Sequence, residues 1–431
     1  MSKAVHLLCG YLKGWHAKTI LRFALLAAVA QPAYAATKIT VEQLEQNIAA
    51  YQSYSDKEAA DRLTGLELTE RLSKQRYERL KAALPGEKAR LALLALDDSS
   101  AFLDLPPADT LKLPVPAASA QGHMVSQAAD FVLETVSRMP NFFAAQTTTR
   151  FQDLKVTRGM DEPVVVAHQG FHFIDKVSAI VTYRNGREVL EPPGGKKPGA
   201  PTVISSTGLT TWGVFGPLLG LVITDIMKGK IGWSHWEQGA SGPLAVFRYL
   251  VPADQANYTV RYCCFRAEHG EMKQFEAVPA YHGEIAVDPK TGAVLRLVLK
   301  TDLQPELPME RADQAVDYGP VEIAGKTCIC PVQSISVSTA QTLMFHHYQF
   351  YADKKGQPDP GGKLKHVVTV EQPTATAIND VVFDDYHQFR GELRILSSNS
   401  VDPAVAAPAS PTPAGSDPPN AAAPAAAPPQ P

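Results

Sequence analysis

The chain has 431 residues, with 41 basic and 44 acidic side chains and a formal charge of −3. So even a balance lacks the basic surface that phosphate neutralisation requires, which argues against nucleic acid as a partner. The length suits one large domain or two ordinary ones.

Residues 1–35 carry Lys3, Lys13, Lys18 and Arg22 and no acid. The apolar run Phe23–Ala30 follows, then a break at Pro32 and the small-residue stretch Ala33-Tyr34-Ala35. Basic, apolar and small segments in that order predict a signal peptide cut after Ala35, hence a periplasmic or secreted protein. The apolar run is far shorter than the ~20 residues that span a bilayer, so no transmembrane anchor is expected in the mature chain. Cys9 leaves with the signal, and four cysteines remain.

Residues 36–104 predict a helical region. "TVEQ" at 40–43 has the spacing of a capping box, and Leu66, Leu72, Leu80 and Leu84 recur among charges until Pro85-Gly86 interrupts them. "EKARLALLALDDSSAFL" then predicts a further helix with an Ala/Leu face. A Pro-rich linker at 105–120 leads to the segment 121–398, which opens with a helix over 126–139 ended by Pro140. From there the hydrophobic period switches to two. Strands are predicted in "NFFAAQTTTRFQ", "PVVVAHQGFHFID", "VSAIVTYRNGREVLE", "YTVRYCCF", "GEIAVDPKTGAVLRLVLKTDL", "KTCICPVQSISVS", "LMFHHYQFYAD" and "FRGELRIL". Asn185-Gly186 reads as a two-residue hairpin turn, and Asp288 to Gly292 as a longer hairpin loop. Strands joined by hairpins, with few helices between them, predict an α+β fold built on one large antiparallel sheet. Residues 399–431, rich in Pro and Ala and without an aromatic, predict a disordered tail.

The helix that feeds into "MPNFFAAQTTTRF", together with "YHGEIAVDPKTGAVLRLVL", resembles the periplasmic lipoprotein-carrier superfamily over about 126–396. That resemblance implies a curved, half-barrel-like sheet whose concave face holds acyl chains. Along its whole length the chain is also similar to a group of exported bacterial proteins, a likeness that implies the compartment and no activity.

Motifs for catalysis are scarce. The sequence contains neither G-x-S-x-G nor H-E-x-x-H. "GGKKPG" at 194–199 lacks the glycine spacing of a phosphate loop. "DKKGQPDPGG" at 353–362 lacks the alternating acids of a calcium loop and reads as a hairpin loop. His168 and His172, four apart on a strand, stand about 13 Å apart and cannot chelate one ion as neighbours. His346 and His347 point to opposite faces, and His235 sits between Trp233 and Trp236. No catalytic constellation, cofactor or metal site is expected.

The cysteines fall as Cys263-Cys264 and Cys328-x-Cys330. In strand alternation Cys264 shares the apolar face of Val260 and Tyr262, while Cys263 falls with Arg261. A Cys263–Cys264 bond would close a strained ring incompatible with strand geometry, and an exported protein oxidises its thiols. The expectation is therefore a bridge from Cys264 to Cys328 or Cys330, closing a loop worth roughly 4 kcal/mol. The other two cysteines either pair at a β-bulge or stay free.

"TTWGVFGPLLGLVITDIMKGKIGW" at 210–233 predicts a short helix starting at Pro217, apolar almost all round, with Thr224 and Asp225 as exceptions. Such a helix either fills a core or lids an apolar cavity. In the second case Trp212, Phe215, Leu218, Leu219, Val222, Ile223, Ile226, Trp233 and Trp236 would line the ligand site. Two functions follow. One is an exported, non-enzymatic protein that binds an apolar ligand, a lipid or an acylated partner, on the concave face. The other is a cell-envelope scaffold or interaction module with a protein partner and no small-molecule ligand.

Overall fold

The computed structural model describes residues 36–157, 165–191, 213–267, 270–305, 307–371 and 373–388. Residues 1–35, where a signal peptide is expected, the loop 194–199, Trp212, the strand expected at 389–396 and residues 399–431 lie outside the described residues, as do the side chains of His168, His346 and His347.

Helix α1 (Val41–Tyr51) starts at the expected capping box: Gln43 N donates to Thr40 Oγ1 at 3.2 Å, and Thr40 N donates to Gln43 Oε1 at 2.9 Å. Helix α2 (Asp56–Thr64) is capped by Ser55. The leucine-bearing segment that follows is not one helix. Residues Leu66–Leu68 form strand β2, parallel to β1 (Thr37–Ile39), and helix α3 (Lys74–Ala83) begins only afterwards. Gly65 ends α2 and its carbonyl receives Thr37 N at 2.9 Å, which steers the chain into the strand. Leu68, Leu72, Leu80 and Leu84 still share one small core with Leu44, Ile48, Leu63 and Leu93, so the periodic leucines serve two elements instead of one. The N-terminus of helix α4 (Glu87–Ser100) is capped from a distance. Asp56 of α2 accepts Lys88 N at 3.1 Å and Ala89 N at 2.8 Å, a carboxylate at the positive end of a helix.

The main sheet takes in β3 (Thr110–Leu111), β4 (Phe142–Thr157), β5 (Val165–Arg184), β6 (Arg187–Glu191), β7 (Lys230–Gly239) and β8 (Gly242–Val251). It continues with β11 (Tyr281–Val287), β12 (Val294–Thr301), β13 (Met309–Ile323), β14 (Lys326–Gln341) and β17 (Thr374–Gln388). All pairings within it are antiparallel, in the order β3-β7-β8-β11-β12-β13-β14-β17-β4-β5-β6, with β3 and β6 as open edges. Two strands expected between 163 and 191 merge into the 20-residue β5. Two further hairpins stand apart: β9 (Val260–Arg266) with β10 (Met272–Ala277), and β15 (Met344–Ala352) with β16 (Lys363–Glu371). The turns follow their residues. Asn185 and Gly186 both take positive φ, 51° and 77°, between the paired Arg184 and Arg187. Asp288 accepts Lys290 N and Thr291 Oγ1 in the β11–β12 loop. In the β15–β16 loop Asp353 accepts Lys355 N and Gln357 N, an Asx turn and no cation site.

Each face of the sheet is covered. Helices α5 (Ala118–Arg138) and α6 (Pro217–Ile226) lie on one face over an extended apolar core. The other face receives α4, where Ala95 and Phe102 pack against Val298, Ala315, Ile335, Val337, Ile378 and Phe151. At Gly170 of β5 the approach is closest: a Cβ there would stand 1.6 Å from the Thr64 carbonyl at the end of α2. The described residues, 36–388, fall within one compact unit. The Pro-rich segment is tied into it by β3, by Arg76 bonded through two nitrogens to Asp109, and by Trp236 Nε1 donating to Pro114 O at 2.9 Å.

The seam between α4 and the sheet is not wholly apolar. Asp98 has no exposed surface, and neither of its carboxyl oxygens has a hydrogen-bond partner among the described residues. Burial raises the carboxyls of Asp97, Asp98 and Asp317, with nearby acids adding to it for Asp97 and Asp98; burial also pushes Asp380 up to about 6. A carboxyl raised on folding favours the folded state most below its unfolded pKa, and this favour is lost as pH rises through its folded pKa. For Asp380 that window runs from about pH 4 to pH 6, and the shift corresponds to roughly 2–3 kcal/mol. Urea unfolding at pH 4.5 and pH 7 should show the higher stability at the lower pH in this window, and Asp380→Asn should flatten the difference. A wild-type stability that rises from pH 4.5 to 7 would contradict the assignment.

Candidate functional site

Helix α6 is positioned from both ends. Before it, the half-buried Glu188 of β6 accepts Gly213 N and Phe215 N, both at 2.9 Å, while burial raises the Glu188 carboxyl. Gly216 at the N-cap has φ 148°, a conformation L side chains avoid, and Pro217 opens the helix where its missing N–H costs nothing. After it, Gly229 N closes on the Asp225 carbonyl at 2.9 Å. Leu218, Leu219, Val222, Ile223 and Ile226 are all buried in the main core. Phe215 sits edge-on between Phe142 (5.4 Å between centroids) and Phe383 (4.9 Å). Trp233 and Trp236 meet edge to face at 5.0 Å beside this core. The candidate residues within the described segments are therefore brought together in one buried apolar cluster with side chains of the sheet.

Asp225 identifies the kind of helix this is. It has no exposed surface, and it accepts Asn257 N at 2.8 Å, Tyr281 OH at 2.9 Å and the Asn257 side-chain amide. Burial, then the bond to Asp225, raises the Tyr281 phenol and holds it as a donor. A carboxylate satisfied inside the protein belongs to a core helix, whereas a lid would turn it to water.

The cysteines are placed differently from expectation. Cys263 and Cys264 lie in contact with each other, and Cys328 and Cys330 are free. Two observations account for this. The β9–β10 register slips so that Phe265 opposes Lys273 and Cys263 opposes Gln274, which leaves Cys264 as the extra residue of a bulge, outside regular strand geometry. Tyr262 OH also anchors this hairpin to Gln341 O at 2.6 Å, at the end of β14 remote from Cys330. Eleven residues of strand separate Gln341 from Cys330, about 36 Å, against the 4–7 Å that a disulfide spans. Cys330 is buried in the main core and burial pushes its thiol up to about 12; Cys328 beside it is half-buried, its thiol also raised by burial.

On the opposite face lies a cleft that motif reading did not find. It has a volume of about 570 Å³ and lies between residues 101–104, which follow α4, and strands β8, β11 and β12. Its floor carries Arg248, Glu284 and Val298 in one cross-strand row and Leu250, His282 and Lys300 in the next. Arg248 is bonded to Asp104 and, at 2.9 Å, to Glu284; His282 Nδ1 lies 3.0 Å from Asp302. Arg71, nearly buried at one end, donates through Nη2 to Glu237 Oε2 at 2.7 Å. Arg296 meets the same carboxylate through two nitrogens, at 2.7 and 2.9 Å. His235 stands 3.9 Å from Glu237, its basicity lowered chiefly by burial. A signal for this face existed. "HGE" in β11 places His282 and Glu284 two apart, and "RLVLK" in β12 places Arg296 and Lys300 four apart, so each pair shares one side of the sheet.

No family model matches the chain, and neither does any curated protein or solved structure. The likeness to lipoprotein carriers accordingly rests on strand pattern alone. Among the described residues no cluster of His, Cys, Asp and Glu is arranged to hold a metal ion, and no helix is long and apolar enough to cross a membrane.

Ile223→Ala or Leu219→Ala should cost about 2–5 kcal/mol in chemical unfolding, because each leaves a cavity in a packed core. Asp225→Asn should cost about 2–3 kcal/mol, since a carboxamide cannot accept from all three donors. A loss below 0.5 kcal/mol in these variants would indicate a mobile cover in place of a core helix. For the thiols, native alkylation followed by peptide mapping should label Cys328 and spare Cys330 until the protein is denatured. A peptide linking Cys264 to Cys328 or Cys330 would restore the long-range bridge.

Proposed function

We propose that this chain is an exported, non-catalytic interaction module of the cell envelope, which binds through its outer surfaces and holds no acyl chain in its interior. Export is read from residues 1–35. The observation that supports the rest is the satisfied, fully buried carboxylate of Asp225, which suits a helix packed into a core better than a lid. A carrier with a half-barrel-like sheet would need its concave apolar face open. Here α5 and α6 occupy the face that an acyl chain would take, and Phe215 stands at its centre.

Native mass spectrometry of the protein purified from its own envelope tests this reading. The expected spectrum contains the chain alone and in complex with protein, without added lipid mass. Titration with a fluorescent fatty-acyl probe should likewise give no saturable change in tryptophan emission. Saturable uptake that Ile223→Ala alters would overturn the reading in favour of a lipid carrier.

A further inference from the structure

The cleft between residues 101–104 and strands β8, β11 and β12 has the chemistry of a ligand site, and its ion inventory narrows the ligand. The lining contains three cations, Arg71, Arg248 and Lys300, against three anions, Asp104, Glu284 and Asp302. Arg71 already meets Glu237, and Arg248 meets Asp104 and Glu284, so a phosphate or another polyanion would face a site of mixed charge and gains little here. A sugar would want an aromatic face to stack on. The two aromatic residues of the lining are both buried, with Tyr249 OH committed to Val298 O at 2.7 Å and the Phe102 ring covered by Arg311.

What remains unspent in the cleft is of both signs. Arg71 is only 7% exposed, and its Nε has no hydrogen-bond partner among the described residues, an expensive state for a buried guanidinium donor. Lys300 Nζ makes one long contact, 3.4 Å, to the Phe102 carbonyl, although an ammonium has three donors. On the acceptor side, the half-exposed Asp302 carboxylate faces only His282, and Glu284 Oε2 lies 3.8 Å from Arg296. Leu103 and Leu250, both exposed, provide the apolar part of the lining.

We infer that the cleft binds a short zwitterionic peptide, its carboxylate received by Arg71 and Lys300 and its ammonium by Glu284 and Asp302. The ligand class deepens the interaction role proposed above, which it presupposes. At about 570 Å³ the cleft lies within the 300–1,000 Å³ typical of small-molecule sites.

Calorimetric titration of the purified protein with uncapped tripeptides of Ala, Leu, Lys and Asp tests the assignment. N-acetylated and C-amidated versions, inorganic phosphate and a trisaccharide of N-acetylglucosamine serve as the other arms. At least one uncapped tripeptide should bind saturably, and either cap should weaken it tenfold or more. Lys300→Met should weaken it to a similar degree while leaving the urea midpoint unchanged, which separates loss of the site from loss of the fold. Arg71→Lys, which keeps the charge at the buried position, should weaken it as well. Equal binding of capped and uncapped peptides would overturn the zwitterion, as would phosphate or the saccharide displacing them. Absence of binding by every tripeptide at 10 mM to folded protein would overturn the site. Neither result touches the filled core, which fails only on uptake of an acyl chain.

Discussion

A carboxylate without access to water has to be given donors by the protein around it, and Asp225 obtains them from two other parts of the chain. Asn257 belongs to the loop after β8, and Tyr281 opens β11. All of these must arrive together, because a buried charge missing a donor costs several times what the bond itself contributes. Fixing α6 in this way also fixes Phe215 ahead of it, and with Phe215 the aromatic cluster that joins β4, β5 and β17. One polar residue thus determines where the most apolar helix of the chain can lie.

The two faces of the sheet are sealed by different means. Under α5 and α6 the contacts are almost entirely apolar; Asp225 and Glu188 find their donors there, while the Tyr318 hydroxyl has no partner among the described residues. Under the N-terminal helices a patch of apolar contact adjoins Glu237, Arg71 and Arg296, and then a group of buried acids. Buried ion pairs add little net stability, because desolvation offsets most of their attraction. Their geometry is demanding, however, and Glu237 can satisfy Arg71 and Arg296 together in only one register. Such a seam selects where the helical layer sits more than it strengthens its hold.

Local chemistry was legible in the sequence, and partnerships across the chain were not. The Thr40–Gln43 box, the Asn185-Gly186 turn and the Asp288 loop each depend on a few neighbouring residues, and each forms as their residue types dictate. The apolar run after Pro217 was equally clear as a helix, but its role turned on Asn257 and Tyr281, which no period links to Asp225. The same limit explains the cysteines. Strand alternation placed Cys264 on the inner side, whereas a one-residue bulge decided its partner, and a bulge leaves no mark in a hydrophobic pattern. Residues 66–68 misled for another reason: leucines at helical spacing reach a common core equally well from a short strand. The cleft went unnoticed because its charges come from segments far apart in the chain.

The position of β17 sets an order on folding. This strand lies between β14 and β4, and through pairs such as Thr147 with Val382 it is, among the described residues, the only link in the main sheet between β4-β5-β6 and the strands from β7 to β14. Contacts so remote in sequence are slow to form, because a long loop must close before any of them contributes. Until residues 374–388 are made, β4 and β14, each 16 residues long, both present an unpaired edge. Long open edges are templates for pairing with other chains. A chain ended short of this strand would carry two sticky half-sheets, so the last described strand of the sheet serves as the chain's own protection against aggregation.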